Sequence, residues 1–194
     1  KKSRNHTELL LKSLNLPIKV ISKNKLDFIE IKGQHNFKGF KYDVPGDISS
    51  ASFFLVLALL SNKSKLIIRK VNVNKSGIGI IKILNKMNAK ITVKKNKKYK
   101  GELISDILVK SKNNLRGINC PADLNSSAID EFLIIFLVAA KAKGISTFRN
   151  LGELNKKESP RLNIGISFLK KIGIKVTRNK NDIKIYGNPS LKLE

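Results

Sequence analysis

"GDISSASFFLVLALL" (46–60) and "ADLNSSAIDEFLIIFLVAA" (122–140) decide the fold. In each, Ser-Ser-Ala precedes a wholly apolar run, and the first serines stand at 49 and 126, an offset of 77 residues. Both runs fall far short of the roughly 20 apolar residues that cross a bilayer, so they read as core helices. The pattern predicts buried helices over 49–61 and 127–142. A short β run follows each, "KLIIRKV" (65–71) or "STFRNL" (146–151). Further on, "ILNKMNAKITVKKN" (83–96) matches "FLKKIGIKVTRNKNDIKIYG" (168–187), the helix ends starting at 83 and 168, an offset of 85. Asn88 and Gly173 sit where a helix must turn into a strand, a position that favours the left-handed backbone of Asn or Gly. "LLKSLNLPIKVISKNKLDFIEIKG" (10–33) repeats the plan with Asn15 at the turn, and in the second copy the partner strand falls later, at "SDILVKS" (105–111). The chain therefore reads as an α/β protein holding two near-complete β-α-β-α-β-β units, preceded by the tail of a third. Apolar helices in such units must be covered by sheets. "FKYDVPGDI" (40–48), with its Pro-Gly pair, marks a boundary between modules.

Composition narrows the function. A chain of 194 residues, 41% hydrophobic and 27% charged, can bury a sizeable core. Against 39 Lys+Arg stand only 14 Asp+Glu, a net charge of +25. That balance suits anionic partners: phosphorylated metabolites, nucleic acid or acidic surfaces. The basic residues are mostly Lys and travel with Asn and Ile, a bias of composition that writes lysine onto any surface. Aromatics are 6% and lie mostly inside apolar runs. A nucleic-acid footprint would need cations gathered on one face with exposed aromatics, so the pattern weighs against it. A single cysteine, Cys120, excludes an internal disulfide framework and reads as a small buried residue at a strand end or in a loop. His6 and His35 have no helical i,i+4 partner, so no metal site is expected. "SGIGIIK" (76–82) lacks the third glycine of a dinucleotide fingerprint, and no P-loop is present. No secretory pattern is found, so the expected compartment is the cytoplasm.

Four stretches hold candidate site residues, each with a plain alternative. In "NKKESPRLN" (155–163), Ser159 and Pro160 signal a helix start, Ser capping and Pro at the first helical position. Lys157, Glu158 and Arg161 then cluster at a helix N-terminus, where free N–H groups attract anions; solvated surface charge is the alternative. In "SSAIDEF" (126–132), Ser127 and Asp130 fit a capping box. Asp130 and Glu131 also stand where an apolar helix meets the end of a sheet, a place for an acid with a tuned pKa. In "SRNHTE" (3–8), Asn5 and Glu8 make a capping pair, and Arg4 offers a planar fork to a phosphate. In "PGDISSAS" (45–52), Gly46 and Asp47 make the turn and Ser49 or Ser50 caps the helix.

Taken in order, "SRNHTE", "VPGDISSASFFLVLALL", "SSAIDEFLIIFLVAAKAKG" and "LNKKESPRL" resemble the 5-enolpyruvylshikimate-3-phosphate synthase family, across nearly the whole chain. The resemblance implies two similar domains of three β-α-β-α-β-β units each. On that plan 1–43 is the end of one domain, 44–46 an inter-domain crossing, and 47–194 about two units of the other. It implies transfer of the enolpyruvyl group of phosphoenolpyruvate to the 5-hydroxyl of shikimate 3-phosphate, with release of phosphate and without metal or cofactor. Asp130 and Lys157 would meet the shikimate hydroxyl, Glu158 would handle the proton at the phosphoenolpyruvate methylene, Arg161 would bind phosphoenolpyruvate, and Arg4 the shikimate phosphate. Where Pro160 stands the family usually has an acid. The family's early Lys/Ser/Arg cluster and its late Arg/Lys contacts have no counterpart here, so the chain is expected to be a portion of an enzyme, inactive alone and monomeric when complete. The sister family acting on UDP-amino sugars shares the fold but matches "SRNHTE" and "KESPR" less well. A basic nucleic-acid-binding module is the alternative of another class.

Overall fold

The computed structural model describes residues 4–24, 26–36, 38–111 and 114–192. Three helix-to-strand passages organise the chain. Helix α1 (His6–Ser13) leads into β1 (Ile18–Lys23), helix α3 (Gly79–Lys86) into β4 (Lys90–Tyr99), and helix α5 (Arg161–Lys171) into β7 (Val176–Asn179). At each passage one residue is left-handed: Asn15 at φ 57°, Asn88 at 69° and Gly173 at 80°. One residue later the amide N–H reaches back five positions: Leu16 to Leu11, Ala89 to Leu84 and Ile174 to Leu169. This is the Schellman closure, which satisfies a free helix carbonyl while reversing the chain. Its recurrence is what the sequence repeat encodes.

β1 pairs with β2 (Leu26–Ile31) as an antiparallel hairpin. Helix α2 (Ile48–Leu60) is followed by β3 (Lys65–Asn72), and β4 turns into β5 (Glu102–Lys110). Helix α4 (Phe132–Lys141) is followed by β6 (Gly144–Phe148), and β7 turns into β8 (Asp182–Gly187). The two three-stranded sheets run β3-β5-β4 and β6-β8-β7, the same first–third–second order, with antiparallel neighbours throughout. Each gains a parallel edge: Gly46 beside Val71 in one, Arg116 and Asn119 beside Lys143 and Thr147 in the other. With those edges included, both units read β-α-β-α-β-β. Cys120 lies buried at the end of the second edge, its N–H bonded to the Thr147 carbonyl.

The core is centred on α4, where Phe132, Phe136 and Phe148 pack with ring centroids 5.4–5.9 Å apart. Both helices differ from their expected form. α4 starts at Phe132 rather than 127, because 125–131 runs as consecutive turns. α2 buries Leu55 and Leu59 but leaves Phe53, Phe54 and Leu57 60–65% exposed, so only one side of it faces the core.

The turns ahead of α4 are fixed from below by α3. The Gly79 N–H bonds to the Ser127 carbonyl at 3.0 Å, and a Cβ on Gly79 would fall 2.5 Å from the carbonyl carbon of Ser127. Backbone at that distance has nowhere to go. Gly79→Ala is therefore expected to destabilise the protein by about 1–3 kcal/mol, read as a lowered urea midpoint. An unchanged midpoint would show that this approach is slack.

Candidate active site

Three helices begin within one neighbourhood, and the loops before them supply its side chains. Ahead of α2, Asp47 rather than Ser49 or Ser50 is the cap: its carboxylate accepts from the Ser49 and Ser50 N–H groups at 3.2 and 2.8 Å. Burial pushes the Asp47 carboxyl up, but those bonds to Ser50 and Ser49 outweigh it and the net shift is downward. With the cap supplied by Asp47, the Ser49 hydroxyl is free to donate to the Glu131 Oε1 at 2.5 Å, across 82 positions of sequence.

Ahead of α4, Asp130 makes no capping box with Ser127. The Ser127 hydroxyl donates to the Leu124 carbonyl, and Asp130 turns to three cations instead. Arg4 Nη2 lies 2.9 Å from Asp130 Oδ2, while Lys157 Nζ and Arg161 Nη1 lie 3.3 and 3.0 Å from Oδ1. Burial by itself pushes the Asp130 carboxyl up. The hydrogen bond and charge of Lys157, joined by Arg4 and Arg161, outweigh it and hold the group below its ordinary range.

Ahead of α5, the cap is again not the expected one. Ser159 contributes a carbonyl to the Arg161 N–H, whereas the Asn155 Oδ1 accepts from the Leu162 and Asn163 N–H groups at 3.2 and 3.4 Å. Pro160 stands at the boundary and Arg161 opens the helix. Arg161 then bridges two carboxylates, Asp130 with Nη1 and Glu158 with Nη2, both at 3.0 Å. Glu158 is 84% exposed. Its own backbone N–H, and next the Arg161 charge, hold it below its ordinary range, so it stands ionised.

Arg4 is positioned by the start of α1. Asn5 does not cap that helix; its side-chain carbonyl accepts from Asn74 at 2.8 Å, and Asn74 donates also to buried Glu102 at 3.1 Å. His6 Nδ1 meets the other Glu102 oxygen at 2.5 Å. These bonds tie the segment that carries Arg4 to the β3–β5 sheet.

The structure thus brings together the five residues to which the resemblance gives substrate roles: Arg4, Asp130, Lys157, Glu158 and Arg161. It adds Glu131, noted in sequence only for its place beside Asp130, and Ser49, expected there only as a helix cap. Glu131 is 1% exposed, with Arg4 Nη2 at 3.7 Å from Oε1. The one available signal was an acid directly preceding a wholly apolar helix. Charge separates site from background as well. Among the lysines whose side chains are described, all are exposed except Lys100, Lys141 and Lys157, which are half-buried. Three cations, ionised carboxylates and three helix starts make a place whose chemistry suits anions.

The duplicated β-α-β-α-β-β unit is the fold of the enolpyruvyl transferases. At the level of fold alone it is similar to the enolpyruvyl transferase NikO from Streptomyces tendae, with TM-score 0.61 and 13% identity over 92% of this chain and 38% of that one. The chain belongs to the EPSP synthase (3-phosphoshikimate 1-carboxyvinyltransferase) family, whose model matches residues 1–193. It is 36% identical over 186 residues to the 3-phosphoshikimate 1-carboxyvinyltransferase of Thermodesulfovibrio yellowstonii, covering 96% of this chain and 43% of the relative. To that of Ruthia magnifica subsp. Calyptogena magnifica it is 39% identical over 185 residues, covering 95% and 41%. A solved EPSP synthase from Acinetobacter baumannii superposes with TM-score 0.88 at 34% identity, over 97% of this chain and 41% of that one. The chain spans about two fifths of the length of the curated relatives it matches.

Proposed function

We propose that the protein to which this chain belongs transfers the enolpyruvyl group of phosphoenolpyruvate to the 5-hydroxyl of shikimate 3-phosphate and releases phosphate. The observation that carries this is Asp130, held ionised by Arg4, Lys157 and Arg161 where three helices begin. Two polyanions must approach each other, and fixed cations with helix N-termini offset their repulsion. Asp130 and Lys157 orient the attacking hydroxyl and draw off its proton. The hydroxyl oxygen bonds to the enolpyruvyl carbon as the methylene takes up a proton, and the bond from that carbon to the phosphate oxygen then breaks as the proton is given up again. Glu158 exchanges the proton at the methylene, Arg161 holds phosphoenolpyruvate, and Arg4 holds the shikimate phosphate. Enclosure of Glu158 by ligand would raise its pKa from its present low setting and fit it to give the methylene a proton and then take it back.

Exposed apolar surface supports the division into domains. The β1–β2 hairpin leaves Val20, Ile21, Leu26, Phe28, Ile29 and Ile31 more than half exposed, a surface suited to packing against more protein. Residues 1–43 are the end of one domain, 44–46 cross between domains, and 47–194 are two units of the other. Phe53, Phe54 and Leu57 of α2 face the third unit. Among the described residues no helix is long and apolar enough to cross a membrane. The complete enzyme works as a cytoplasmic monomer on small anions, without a specific nucleic-acid partner.

The test is phosphate release by the purified full-length protein from shikimate 3-phosphate and phosphoenolpyruvate. The 194-residue chain alone is expected to release none, since it spans two fifths of its relatives. Turnover of a UDP-amino sugar in place of shikimate 3-phosphate would overturn the reading, as would turnover by the short chain at the rate of the full-length protein.

A further inference from the structure

We infer that Glu131, joined to Ser49, is a positioning residue that sets the guanidinium of Arg4 over Asp130. The inference rests on the reading of Arg4 as a substrate contact. Arg4 Nη2 sits between two neighbouring carboxylates, 2.9 Å from Asp130 Oδ2 and 3.7 Å from Glu131 Oε1. Asp130 is partly open to solvent and engages Lys157 and Arg161 as well, so it alone does not fix the direction of Arg4. Glu131 is fully enclosed, and its Oε1 takes the Ser49 hydroxyl at 2.5 Å, pinning the start of α4 to the start of α2. These are the two units of the duplication, and the bond that joins them lies directly beside Arg4. At the duplicated positions of the first unit, 77 residues earlier, stand the exposed Phe53 and Phe54. The Asp-Glu pair is therefore a feature of one unit only.

The arrangement needs Glu131 as an acceptor rather than as a charge. Its Oε2 is buried and has no hydrogen-bond partner among the described residues. A bare buried carboxylate oxygen is costly, and a proton there removes most of the cost. Burial pushes Glu131 up, against the Ser49 bond and the Arg4 charge, and the nearby Asp130 and Asp47 add to the rise.

Four variants of the full-length protein test this: Glu131→Ala, Glu131→Gln, Arg4→Ala and the Glu131→Ala/Arg4→Ala double. Glu131→Ala is expected to raise the KM for shikimate 3-phosphate about tenfold or more, the scale of one contact to a charged group. Glu131→Gln, which keeps the shape and the acceptor, should restore most of it. In the Arg4→Ala background, Glu131→Ala should move KM no further, because coupled residues are non-additive. Equal KM increments in both backgrounds would overturn the inference, as would a lowered unfolding midpoint with KM unmoved. Should the wild-type protein turn over neither substrate, the reading of the reaction fails instead. The same four unfolding midpoints then still decide the coupling, and additive shifts would end the proposal.

Discussion

Glu158→Gln in the full-length protein is expected to lower kcat by roughly 10²–10⁴-fold, the contribution of a positioned proton-transfer group, while the unfolding midpoint stays nearly unchanged. Structure and chemistry separate cleanly at this residue. Glu158 is 84% exposed and its ion pair to Arg161 is at the surface, where such pairs contribute little to stability. Glutamine keeps the length and the ability to accept from Arg161 but cannot exchange a proton at neutral pH. A residue serving only as surface charge would leave kcat where it was. One that held the helix start would lower the midpoint, but the Asn155 side chain holds that start instead. Turnover and unfolding measured on this one variant therefore distinguish all three roles. Normal turnover in a stable variant would return Glu158 to decoration.

The fold was legible in sequence where its logic is local. Asn15, Asn88 and Gly173 each mark a helix end by backbone preference alone, and each is left-handed. Ser-Ser-Ala ahead of an apolar run located both core helices, and the two offsets located the sheets. The expectations that failed concern which of several similar polar groups wins a helix start. Ser159, Ser50 and Asn5 are all competent caps, yet Asn155 and Asp47 take the first two starts and Asn5 turns to Asn74. Composition does not rank such rivals, because the outcome depends on where the preceding loop delivers each side chain. The start of α4 was misplaced for the same reason: the turns of 125–131 hold apolar and polar residues at helical spacing, and only the contact of Gly79 with Ser127 shows why they do not wind into helix. At the site, the cations were found because charge beside a helix start is a chemical signal. The pairing of Ser49 with Glu131 was not, because it spans 82 residues and exists only after the two units have packed.

Asp130→Asn in the full-length protein should likewise reduce turnover by roughly 10²–10⁴-fold, but unlike Glu158→Gln it should also change how stability depends on pH. The wild-type carboxyl has its folded pKa depressed below the ordinary Asp value of about 3.9. Its ion pairs therefore stabilise the fold fully above that value, and the contribution is lost as pH falls through the lowered pKa. Asparagine has no such titration. At pH 7 the variant is expected to be less stable than wild type, since Arg4, Lys157 and Arg161 remain together without the charge that gathered them. As the pH drops toward 3 and below, the two urea midpoints should converge. Pro160 sharpens the expectation: with no acid there, Asp130 is the one carboxylate, among the described residues, that pairs with all three of these cations. An anionic substrate should then recover part of the lost stability, because it supplies the missing negative charge to the same three side chains. Phosphoenolpyruvate is expected to raise the midpoint of the variant more than that of wild type at pH 7. Equal shifts in the two proteins, or midpoints that stay parallel across the acid range, would show that Asp130 neither gathers these cations nor sets the charge of the site.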